Sequence, residues 1–117
     1  MKIGIHGSRN FSDYAIFLNA MNAVLFDLKE SQDSELLFYT AGPSKVNSMV
    51  TEYSNVSERG LKSRGIKNRF FKIPMGWLRD NLTDMDLLLY FSLPKESPSD
   101  IVDKAKKKSV EYRIYRY

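Results

Sequence analysis

The chain has 117 residues, 43% of them apolar and 27% charged, with one histidine and no cysteine. That mix suits one compact domain with its own core and excludes a disordered tail, a fibrous protein, a disulfide framework, a thiolate zinc site, a histidine-cluster metal site and a cysteine nucleophile. Eighteen Lys and Arg against fourteen Asp and Glu leave a net charge of +4, a modest bias towards anionic partners that nucleotides satisfy as readily as polymers.

Met1 to His6 alternates in polarity and stops at Gly7, which reads as a strand and a sharp turn. From Ser12 the pattern becomes helical, with Tyr14, Phe17, Leu18, Met21, Val24, Leu25 and Leu28 recurring on one face as far as Lys29. A polar break at Ser31 to Glu35 precedes the apolar run Leu36 to Thr40, a buried strand closed by Ala41-Gly42-Pro43. Helical spacing resumes from Ser44 to Ser63 through Val46, Met49, Val50, Tyr53 and Val56, Gly65 stands near the C-cap, and Lys67 to Ile73 reads as a third strand.

Pro74, Gly76 and Trp77 interrupt the pattern before a short helical turn at Leu78 to Thr83. Asp86 to Phe91 is the most apolar run and reads as a central strand covered on both faces; its Leu87 to Phe91 core is far too short to span a bilayer, so a soluble cytoplasmic protein is expected. Ser97-Pro98-Ser99-Asp100 combines an N-cap, a proline at the first helical position and a carboxylate for a capping box. A helix should therefore run to about Lys108, ahead of a last strand at Val110 to Tyr115. Phe17, Met21, Val24, Leu25, Leu37, Phe38, Leu87, Leu88 and Leu89 are the expected core.

Strands that alternate with crossover-length helices, with no hairpin signal between them, predict a single-domain Rossmann-like α/β sandwich with a parallel sheet of about five strands. Such sheets bind ligands where loops leave the carboxyl ends of the strands, beside helix N-termini. The first such loop is Gly7-Ser8-Arg9-Asn10-Phe11-Ser12-Asp13-Tyr14. Gly7 permits close backbone approach, Ser8 offers a hydroxyl, and Arg9 can pair bidentately with a phosphate beside a helix capped by Ser12 or Asp13. The same residues also suit a plain structural turn, with Arg9 a solvated charge and Asn10 a loop former.

A strand ending in Gly-Ser-Arg, followed by an aromatic and Asp-Tyr at the head of a long helix, resembles the opening of the SLOG superfamily, in its YspA-like branch. The resemblance continues weakly through the strand ending at Gly42, the aromatic third strand with Trp77 and Arg79 behind it, and the Asp86 to Phe91 strand. It implies a Rossmann-like fold that binds nucleotides or nucleotide-derived signals. LOG-type relatives cleave the base from a nucleoside monophosphate, and DprA-type relatives bind single-stranded DNA.

Departures from that pattern fall on the later loops. The glycine-rich turn after the second strand is reduced to Thr40-Ala41-Gly42-Pro43-Ser44-Lys45-Val46-Asn47, where Ser44 suits a helix cap, Lys45 a charge and Asn47 a polar contact. The double glycine and glutamate of the LOG-type loop are missing from Ser92 to Asp100, which argues against phosphoribohydrolase chemistry unless Glu96 or Asp100 substitutes. Trp77 and Arg79 suit a purine and its phosphate, although Trp77 equally suits packing; His6 reads as a satisfied core histidine.

The expected function is therefore noncatalytic binding of a nucleotide-derived small molecule, as a sensor or a sequestering protein, through Gly7, Ser8, Arg9, Asn10, Gly42, Ser44, Lys45, Asn47, Trp77, Arg79 and the Ser97 turn. A LOG-type N-glycosidic hydrolase is the alternative. An interaction module for single-stranded nucleic acid or protein, using Lys104 to Lys108 and the seven tyrosines, ranks last because the charge is modest. No cofactor, metal or membrane partner is implied, and the aromatic content permits a homo-oligomer.

Overall fold

A computed structural model describes residues 1–31, 35–41, 45–95 and 100–116. The elements are β1 (Lys2–Gly7), α1 (Tyr14–Ser31), β2 (Glu35–Ala41), α2 (Lys45–Ser63), β3 (Lys67–Ile73), α3 (Met75–Asp80), a 3-10 turn (Leu82–Asp84), β4 (Leu87–Ser92), α4 (Asp100–Lys107) and β5 (Tyr112–Arg116). All five strands are parallel, in the order β3-β2-β1-β4-β5. The α/β sandwich expected from the alternation of strands and helices is the fold observed.

The two faces of the sheet carry unequal cover. The long helices α1 and α2, of 18 and 19 residues, bury Phe17, Met21, Val24, Val46, Val50 and Tyr53 against Ile3, Ile5, Leu36, Phe38, Leu89 and Phe91. Among the described residues, the opposite face has α3, the 3-10 turn and α4, which place Leu78, Leu82, Ile101, Val102 and Ala105 over Leu88 and Tyr90. Strand β4 is buried at every one of its six positions, as its unbroken apolar run requires. At its head the Asp86 carboxylate accepts the Lys2 backbone N–H at 2.7 Å and so ties β1 to β4.

Unequal cover corrects part of the expected core. In β2 the large apolar residues Leu36 and Phe38 are fully buried and turn towards the long helices, whereas Leu37 points to the thinly covered face and is only half-buried. Leu25 lies at the margin of the α1 stripe and is half-buried as well. The sequence pattern shows that β2 has two faces; the lengths of the helices decide which is dry.

Helix ends follow local chemistry. Asp13, not Ser12, caps α1, its Oδ1 accepting the Ile16 N–H at 3.2 Å. Gly65 adopts φ 75° behind α2, where the Ile66 N–H reaches the Leu61 carbonyl at 2.9 Å. The same reversal ends α4 with Ser109 at φ 58°; Val110 then donates to the Ala105 carbonyl, so β5 starts at Tyr112 instead of Val110. Helix α3 begins directly behind Pro74, earlier than the expected Leu78. The capping residues Ser97, Pro98 and Ser99 lie outside the described residues. No described helix is long and apolar enough to cross a membrane.

Candidate functional site

The strand order determines where a crevice forms. From β1 the chain moves outward through β2 to β3, then crosses back to β4 on the other side of β1 and outward again to β5. Helix α1, leaving β1, and α4, leaving β4, therefore cover opposite faces of the sheet, so the chain turns away from the carboxyl ends of β1 and β4 in opposite directions. The Gly7-Ser8 turn sits at that point.

Ser8 continues the β1–β4 pairing, its N–H donating to the Phe91 carbonyl of β4 at 2.7 Å. Its carbonyl accepts from the Phe11 N–H at 3.1 Å and its Oγ from the Asn10 N–H at 3.3 Å. Phe11 is fully buried with its ring 5.2 Å from that of Phe91, so the turn is plugged into the core and leaves Arg9 and Asn10 exposed at its tip. A Cβ on Gly7 would lie 2.3 Å from Val46 Cγ2, which makes the first turn of α2 the group that needs this glycine bare.

These bonds reshape the expected phosphate cradle. The N–H groups of Ser8, Asn10, Phe11 and Ile16 already have acceptors, and the N-terminus of α1 already carries the Asp13 carboxylate. Arg9 keeps an exposed position there. Beside the turn, the buried Thr40 hydroxyl donates to Asn47 Oδ1, which fixes the half-buried Asn47 at the α2 side of the crevice; Lys45 is exposed. Gly42, Ser44, Glu96 and Ser97 lie outside the described residues.

The α4 side gathers a second group, of which only Arg79 was expected at the ligand. His6 Nδ1 lies 3.0 Å from the Ala41 carbonyl, so this nitrogen carries the proton and donates, and in the neutral ring Nε2 keeps its lone pair. The ring packs 5.6 Å from that of Tyr90, its register partner on β4. Arg79 donates to Asp100 Oδ1 at 2.8 Å, while Arg79 Nε is buried without a hydrogen-bond partner among the described residues. Ser92, at the end of β4, is wholly buried and its Oγ likewise lacks a partner there. Asp100, expected chiefly as a capping carboxylate, pairs with Arg79, while its expected capping partner Ser97 lies outside the described residues.

Trp77 and Arg79 were expected at one crevice mouth, and the structure separates them. Residues two apart on a helix point about 200° from each other. Arg79 accordingly meets Asp100, while Trp77 stacks on Tyr39 of β2 at 5.2 Å and 18°. His6, Tyr90 and Ser92 left one usable trace in the sequence: strand alternation that sends Gly7 to one face sends His6 to the other.

No family model, curated protein or solved structure matches this chain.

Burial lowers the His6 pKa from its ordinary 6.5, with the nearby Arg79 cation acting in the same direction and the hydrogen bond to Ala41 and the Asp100 carboxylate opposing it. Between the lowered folded value and 6.5 the unfolded chain binds more protons, so stability rises with pH in that window. His6 therefore contributes fully above the unfolded value and loses its contribution as pH falls through the window. Thermal melts from pH 7.5 to 5 should show a decline that is shallower in His6→Gln; equal slopes would mean that the ring ionises as freely in the fold as outside it.

Proposed function

We propose that this chain binds a nucleotide or nucleotide-derived small molecule, as a noncatalytic sensor or sequestering protein, in the crevice beyond the carboxyl ends of β1 and β4, where the chain leaves the two strands towards opposite faces. The observation that carries this is the reversal of strand order beside β1, which puts the Gly7-Ser8 turn at the mouth of the crevice. Support comes from Arg79 Nε and Ser92 Oγ, buried polar atoms of the kind that folded proteins normally pair. A phosphate or ribose oxygen is a suitable acceptor for both. The neutral His6 ring offers an acceptor to a hydroxyl or an exocyclic amine. The resemblance of Gly7 to Tyr14 to the YspA-like SLOG opening points to the same ligand class.

Binding is favoured over LOG-type hydrolysis because Asp100 is paired with Arg79, and its side chain is 70% exposed instead of being held in a dry site. Arg79→Ala is expected to weaken AMP or ADP-ribose binding by roughly 1.5 to 3 kcal/mol, the size of a charged hydrogen bond, in calorimetric titration. The melting temperature should barely move, because an ion pair this exposed is worth at most about 1 kcal/mol. Arg9→Ala separates a phosphate held at the turn from one held by Arg79. Wild-type protein that binds no nucleotide at millimolar concentration, or equal affinity in Arg79→Ala and Arg9→Ala as in wild type, would sink the proposal.

A further inference from the structure

We infer that the open edge of β3 is a binding site for single-stranded nucleic acid, separate from the crevice and independent of it. Strand β3 ends the sheet, and α3 shelters only its carboxyl end, where Ile73 packs with Ala41 and Leu78. Along the uncovered part, alternation places Lys67, Arg69 and Phe71 on one face, while Asn68 turns the other way to bond α2 through the Ser54 carbonyl and Ser57 Oγ.

Phe71 begins a column of three nearly parallel rings. It stacks on Tyr39 at 5.2 Å and 21°, and Tyr39 stacks on Trp77 at 5.2 Å and 18°. The two end residues, Phe71 and Trp77, are 40% and 39% exposed, so both ends of the column reach water. Nucleobases stack on aromatic faces whatever their identity.

The cations lie along β3 and lead to the Phe71 end of the column, which itself crosses from β3 to β2. Lys67 and Arg69 precede Phe71 at two-residue steps of about 6.6 Å, close to the separation of successive phosphates along an extended single strand. Neither side chain has an ion pair or hydrogen bond among the described residues. Both also line a surface depression of about 390 Å³ at the start of β3, where Lys62 adds a third cation. Glu58 lines the same depression and Glu35 stands in register with Lys67, so the edge is only moderately basic and its grip should be sensitive to salt. Basic charge spread along the sequence is gathered by the fold beside exposed rings. The Lys104 to Lys107 cluster, by contrast, occupies the last turn of α4, where it complements the helix dipole.

An open strand edge beside stacked rings fits an unpaired strand better than a duplex, whose bases are already stacked. The test titrates fluorescent 12-nucleotide deoxy and ribo strands side by side, with a duplex of equal length and an acidic peptide of equal charge as competitors. Either single strand should bind and quench the only tryptophan, Trp77, with a log–log salt slope of about −2 for three phosphate contacts; the ratio of the two identifies the polymer. Phe71→Leu, which keeps an apolar side chain but removes the ring, should cost about tenfold, and joint Lys67→Glu and Arg69→Glu substitution should abolish binding. Neither change should alter nucleotide affinity in the crevice, and Arg79→Ala should leave strand binding intact. No binding at 50 mM salt, equal binding of the duplex, an unaffected Phe71→Leu variant, or competition by the peptide as strong as by the single strand would each overturn the inference.

Discussion

Leu88→Asp is expected to leave no soluble folded protein. Leu88 is fully buried in β4, flanked in register by Gly4 of β1 and Tyr112 of β5, and it packs into an apolar cluster with Leu78, Leu82, Met85 and Ile101. A carboxylate placed there finds apolar neighbours, and an uncompensated buried charge costs about 3 to 5 kcal/mol. With the lost burial of the leucine added, that consumes a large share of the stability of a small domain, typically about 5 to 15 kcal/mol in total. Leu88→Met keeps the volume and should cost less than about 1.5 kcal/mol. Soluble yield and urea melts of the two variants separate charge from shape; a folded Leu88→Asp protein with the wild-type midpoint would show that β4 is not an interior strand buried on both faces, the place beside the central β1 that the strand order gives it.

Gly7→Ala should cost about 1 to 3 kcal/mol, the usual range for overpacking, because the new methyl would stand 2.3 Å from Val46 Cγ2 and 3.1 Å from Val46 Cβ. Branching at Cβ gives Val46 no flexible end to move away, so β1 and α2 must separate or the turn must shift. Val46→Ala removes the colliding methyl groups, and the double variant should be more stable than the sum of the two single losses by about 1 to 2 kcal/mol. Simple additivity would mean that the close approach of α2 is not what keeps position 7 bare. The same measurement bears on the crevice, since the Ser8 bond to Phe91 begins one residue further on.

Much of the architecture was legible because its causes are local. Lys67 to Ile73 is a strand with the expected bounds, and Gly65 ends the preceding helix because only a residue tolerant of φ 75° lets the Ile66 N–H turn back to Leu61. The unbroken apolar run of β4 announced a strand buried on both sides, and alternation of such strands with long amphipathic helices left a parallel sheet as the consistent arrangement. These signals need only neighbours within a few residues.

The site obeyed longer-range rules. Whether Leu36 or Leu37 is dry depends on how far helices elsewhere in the chain extend over each face, which alternation within β2 cannot specify. His6 meets Tyr90, and Arg79 meets Asp100, across separations set by strand order. Gly7 read as room for a ligand until the fold placed Val46 against it. Periodicity determines which side of its own element a residue occupies; strand order and helix length determine what waits on that side, and only the tertiary structure contains them.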